Sequence, residues 1–228
     1  MKTVVGLFDN FSDAQNVVQD LVNAGFERSK INLVANDVSG DYQRQYGSGG
    51  TSGGVNEGIV RDTDSSGSAV AESAGTGAKA GTYVGTALGL LAGIGFLAIP
   101  GVGPVLAAGE IATVLGSTAL GAGLGAAAGG LLGALVGLGV PEEEAGYYTE
   151  GVRRGGALVT LSVDENRVTE ASAILNRHRA VDISTRRDYY QQSGYTGYNP
   201  NAQPYTAEEL AAYRQRNANV YTGGTSGV

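Results

Sequence analysis

Cysteine is absent from the 228 residues, and histidine occurs once. The first absence excludes disulfides, thiol catalysis and thiolate metal sites, and is compatible with a reducing compartment. The second rules out motifs such as HExxH; the lone His178, between Arg177 and Arg179, reads as a solvent-exposed residue at a helix end. Charge is also scarce, at 16% of residues against about 25% in an average globular chain. Its 22 acidic and 15 basic side chains give a net charge of −7, and the basic ones are scattered, which argues against a nucleic-acid partner. The opening MKTVVGLFDNFSD turns polar too soon to hold a signal-peptide core, so a cytoplasmic, non-secreted chain is expected. No acidic cluster has metal spacing, and no glycine run sits between a strand and a helix with a following lysine. No cofactor, metal or phosphate loop is therefore expected.

What the chain has in excess is glycine, 38 residues in all. The two ends are nevertheless ordinary. Residues 3–8 (TVVGLF) read as a strand, Ser12 and Gln15 as a capping box, and Ala14, Val17, Val18, Leu21 and Val22 as a helical stripe ending at Gly25. Residues 31–35 (INLVA) read as a second strand. The same order returns late: strand 157–163 (ALVTLSV), a helix with Val168, Ala171, Ile174 and Leu175 inward, and strand 181–184 (VDIS). Two such βαβ halves, residues 1–38 and 155–187, predict an α+β, split ferredoxin-like domain: four antiparallel strands with both helices on one face.

Between the halves lies the insert. Residues 39–80 are Gly/Ser-rich and read as a flexible tether. Residues 81–140 hold a single charge, Glu110, and two glycine ridges of every-fourth-residue spacing: Gly81, Gly85, Gly89, Gly93, then Gly121, Gly125, Gly129, Gly133, Gly137. That spacing puts small residues on one helix face, where a second helix approaches closely. Pro100, Gly101, Gly103 and Pro104 predict a reversal between a helix at 82–98 and an apolar stretch at 105–139 that breaks near Gly116. The expectation is an apolar helical hairpin or bundle, seated in a membrane or against identical copies. Residues 82–99 and 118–140 approach spanning length, and Lys79, Arg153 and Arg154 flank them on one side. Glu110 is expected at a water-facing end, with pairing inside an oligomer or protonation as alternatives. Residues 141–154 then form a short connecting helix, and the Tyr/Gln/Asn-rich tail 188–228 is expected to be disordered except for a helix near 206–215, capped by Thr206 and Glu209.

Three stretches resemble the general stress protein 17M-like family, also described as heat-induced stress protein YflT-type domains: TVVGLFDNFSDAQNVVQDLVNAGF, LAIPGVGPVLAAG and, most specifically, GALVGLGVPEEEAGYYTEGVRRGGALVTL. The resemblance spans most of residues 1–163 and implies a bacterial stress-associated protein, with no reaction, ligand or catalytic residue to carry over. From the residues, no nucleophile, base and orienter can be assembled either. The expected function is thus a non-enzymatic stress-response protein, membrane-associated or self-assembling. The alternative is a soluble small-ligand regulatory module with Asp9, after the first strand, facing the ligand; a turn role explains Asp9 equally well.

Overall fold

The computed structural model describes residues 1–46, 94–116 and 130–216. The β-branched N-terminal run forms β1 (Lys2–Phe8), followed by α1 (Phe11–Asn23). Asn10, in extended conformation, is the N-cap in place of the expected Ser12. Ala14, Val17, Val18 and Leu21 are its buried stripe. Gly25, at φ +79°, ends the helix: its N–H donates to Val22 O and the Phe26 N–H to Leu21 O, the paired bonds of a Schellman ending. β2 (Ile31–Asn36) is buried along its whole length. α2 (Asp41–Tyr46) occupies the start of the expected tether, whose remainder lies outside the described residues.

The insert departs most from expectation. Residues 94–98, expected in a helix, belong to β3 (Ile94–Ile99), and the next apolar residues form β4 (Gly103–Ala108). The reversal is where the prolines and glycines place it, but it joins strands. Val102 N–H donates to Ile99 O over 3.0 Å, with Pro100 at the second turn position and Gly101, at φ +71°, at the third, the pattern of a type II turn. Short apolar runs bounded by turn residues suit strand or helix equally; here the edge of β2 decides, because it takes β4 as partner from Leu33↔Ala108 to Asn36↔Val105. α3 (Glu110–Gly116) and α4 (Leu131–Gly137) come next, so the expected helical stretch 105–139 is a strand and two short helices among the described residues.

α5 (Glu142–Arg153) carries three acids in its first turn, where the helix dipole favours them, and leads to β5 (Ala157–Val163). The five strands form one antiparallel sheet in the order β1-β5-β2-β4-β3. β5 thus lies between two strands from the N-terminal 36 residues. Side chains alternate between two cores. Val4, Phe8, Leu33, Val159 and Leu161 meet α1 and α6 (Val168–Arg177) on one face. Leu7, Val34, Val105 and Leu158 meet α3, α4 and α5 on the other. At about 25 cal/mol per Å² of apolar area, two covered faces supply what neither βαβ half supplies alone.

The fourth strand expected at 181–184 does not form. Val181 N–H donates to Leu7 O (2.8 Å), but Asp182 then accepts from the Ser184 N–H (2.9 Å) and caps α7 (Ile183–Gln192). An Asp-x-Ser sequence starts a helix more readily than it continues a strand. Nor is the described part of the tail disordered. It packs through Tyr190 and Leu210, and α8 (Ala207–Arg216) begins at a reciprocal capping box between Thr206 and Glu209.

Candidate functional site

Of the ridge glycines, Gly81, Gly85, Gly89, Gly93, Gly121, Gly125 and Gly129 lie outside the described residues. Gly133 and Gly137 are in α4, whose buried face is instead Leu131, Ala134 and Leu135. Gly137 is exposed, and a Cβ there would meet nothing within 4 Å among the described residues, so none of them approaches it closely. Gly101 is one: a Cβ would collide with the Asn199 carbonyl, because the tail crosses the β3–β4 turn and Tyr198 donates its hydroxyl to Pro100 O (2.5 Å). Gly103 and Pro104 open β4 beneath Pro204.

Glu110 begins α3, is half-exposed and faces Lys30 Nζ at 3.5 Å. It is a helix-start acid at the solvent edge. Asp9 receives both terminal nitrogens of the buried Arg186 at 2.9 and 2.8 Å. That bidentate pair fixes the start of α7 beside the end of β1, and it occupies the carboxylate that a ligand would use.

A second polar cluster has no motif to announce it in the sequence. Glu150 and Arg154, both on or just past α5, are buried and bonded at 2.6 Å. Arg154 also donates to Ser193 Oγ (2.9 Å) and to the Tyr213 hydroxyl, and its guanidinium lies 4.4 Å from the Tyr190 ring centre. Burial works against the Arg154 charge, but Glu150 and Tyr213 outweigh it and raise its pKa. Burial pushes Tyr148 up to about 12, helped by Glu144, and pushes Tyr190 and Tyr195 higher still. Tyrosines so shifted stay neutral near pH 7, and the carboxylate beside them is committed to arginine. The cluster fastens the tail to the α5–β5 joint. The four-residue spacing of Glu150 and Arg154 is its one trace in the sequence.

The remaining feature is an edge. Asp37 N–H donates to Pro104 O (2.9 Å), so Pro104 turns its carbonyl toward β2. Alternation along β4 aims Leu106 and Ala108 the same way, and Gly103, Val105 and Ala107 toward β3. Their partners Ile99, Leu97 and Gly95 bond inward, which leaves the backbone groups of Ile94, Phe96 and Ala98 pointing off the sheet. No described residue pairs with them. Phe96 packs on the α1/α6 core and Leu97 on the opposite one, so this edge is apolar on both faces. Among the described residues an open hollow of about 490 Å³ lies elsewhere, lined by α7 alone through Ser184, Asp188 and Gln192 among others. Among the described residues no group of acids and histidine is placed to hold a metal, and no helix is long and apolar enough to cross a membrane.

No protein-family model matches the chain, nor does any curated protein or solved structure.

Proposed function

We propose that the chain is a non-enzymatic bacterial stress-response protein that works by self-association through its apolar insert, with a membrane surface as the second partner. The observation that carries this is the use of the insert in the sheet. Residues 94–99 lie in β3, and Gly130, at φ 52° and ψ −107°, breaks the chain from helical conformation before α4, so the candidate spans 82–99 and 118–140 are left with uninterrupted stretches of only 82–93 and 118–129. Each falls well short of the roughly 20 residues a spanning helix needs. Contact between copies, or surface contact with lipid, therefore fits the insert better than a transmembrane hairpin. The bonded states of Asp9, Glu110, Glu150 and Arg154 support a structural role for these groups over a catalytic one.

The same proposal reads the sheet as a ferredoxin-like domain altered at both edges. The order β1-β5-β2, with α1 and α6 on one face, is the split βαβ core; the hairpin β3–β4 extends one edge and α7 replaces the fourth strand at the other. The test is light scattering after size exclusion, together with flotation on anionic and neutral vesicles. A dimer or larger assembly, with or without flotation, is expected. A protein that is monomeric and stays unbound to both vesicles would overturn the proposal.

A further inference from the structure

We infer that the outer edge of β3 is the contact between copies, and that two chains pair β3 against β3 in antiparallel register about a two-fold axis through Phe96. This rests on the self-association half of the proposed function and names its surface.

The outward backbone groups form a symmetric set. Ile94, Phe96 and Ala98 are evenly spaced, and centring the axis on Phe96 sets Ile94 opposite the second copy's Ala98 and Phe96 opposite the second copy's Phe96. Every outward N–H and C=O of the three residues then finds a partner, as an antiparallel ladder requires. A shift by one residue would set outward groups against inward ones and leave them unbonded.

Side chains point to the same partner. β3 is apolar on both faces, so an added strand must be apolar on both faces too, and the second copy's β3 is such a strand. An axis perpendicular to the sheet keeps the α1/α6 layers of both copies on one side and the α3/α4/α5 layers on the other. Opposed Phe96 rings would make a cross-strand aromatic contact. Among the described residues the exposed large apolar side chains are Met1, Val114 and Val136, and Val114 lies on α3, which packs beside β3.

Charge permits the approach. Each copy carries −7 overall, yet between Lys79 and Glu142 only Glu110 is charged, and it already faces Lys30. β3 itself brings no charged side chain to the contact. Natural edges that stay single are usually blunted by a lysine, a proline or a bulge, and β3 has none of these.

Two variants test the edge: Ala98→Lys, which puts a charge on it, and Ala98→Pro, which removes an outward N–H while leaving the bonds to β4 intact. Ala98 is exposed, so both changes spare the core. In size exclusion with light scattering, the wild type should be a dimer and both variants folded monomers, with the dimer dissociation constant raised at least about tenfold. Amide exchange on the wild type gives a reading free of folding defects: Ile94, Phe96 and Ala98 should exchange more slowly as concentration rises into the dimer range. Variants that remain dimeric, or amides whose exchange ignores concentration, would overturn the β3 contact while leaving self-association in place. A wild type that is monomeric but floats with vesicles would overturn the contact and leave only the membrane half. A monomer that does neither would remove both.

Discussion

Along β1, the outer edge of the sheet meets Val181, whose N–H bonds to Leu7 O, and the Thr3 hydroxyl bonds to Leu138 O, while Lys2 puts a charge at the strand's start. Along β3, the opposite edge carries no charge and no bonded neighbour among the described residues. Both are single strands at the rim of one sheet, so the difference lies in the chain segments that pass beside them. β1 is closed by a segment that makes one ladder bond and is then pulled away into α7, held there by the Asp182 cap and the Asp9–Arg186 pair. An edge can thus be shut by a well-anchored helix start without a full extra strand.

The comparison breaks most strongly at the anchor. Replacing Arg186 by Ala leaves Asp9 uncompensated at a largely buried site, and should cost about 3–5 kcal/mol in urea unfolding. It should also turn β1 into a second open edge, seen as assembly beyond the wild-type size. The double change Asp9→Ala with Arg186→Met should recover part of the loss, because no buried charge is left alone.

A broader test sharpens the contrast in packing. The closed side is lined by tyrosines on α5, α7 and the tail, including Tyr148, whose pKa is pushed up to about 12 by burial. A neutral form favoured by folding contributes fully below the unfolded value near 10 and is lost as pH rises through the folded one. The Tyr148 contribution to stability should therefore be constant up to about pH 10 and be lost between about 10 and 12. Resolved by site, the Tyr148 hydroxyl should ionise only at about pH 12 or as the protein unfolds. A Tyr148 that ionises near pH 10 with the fold intact would mean the closed side is more accessible than its geometry.

The smallest effect is expected at the open side. Gly101→Ala puts a side chain at φ +71° and against Asn199, which should cost roughly 1–2 kcal/mol in thermal unfolding. The dimer contact, at the outward face of β3, should survive that change in light scattering.

Much of the two ends was legible in the sequence. The stripe Ala14, Val17, Val18, Leu21 and the runs 3–8, 31–35 and 157–163 each carry one period, and each lies in the element that period demands. Residues 94–99 mislead because Gly, Ala and Leu at such density fit either period, and only the unpartnered edge of β2 settles the matter. At 181–184 the alternation of Val and Ile points to a strand, while in the fold the Asp-x-Ser cap prevails. The candidate polar residues Asp9 and Glu110 are visible one at a time, but their partners Arg186 and Lys30 lie 177 and 80 positions away, beyond any local pattern. The tail tyrosines carry no period at all, and only contact with Arg154 and Gly146 gives them places.

The position of β5 bears on how the chain comes off the ribosome. β1 and β2 are complete by residue 36, yet the strand that joins them starts at residue 157. At about 5–20 residues per second, the roughly 120 intervening residues take about 6–24 s to synthesise. For that interval the nascent chain holds two apolar strands and an amphipathic helix with no central strand to pair with, which makes it a customer for chaperones. Conditions that slow translation would lengthen the exposed interval, so the fold places its own greatest vulnerability in the seconds before residue 163 emerges.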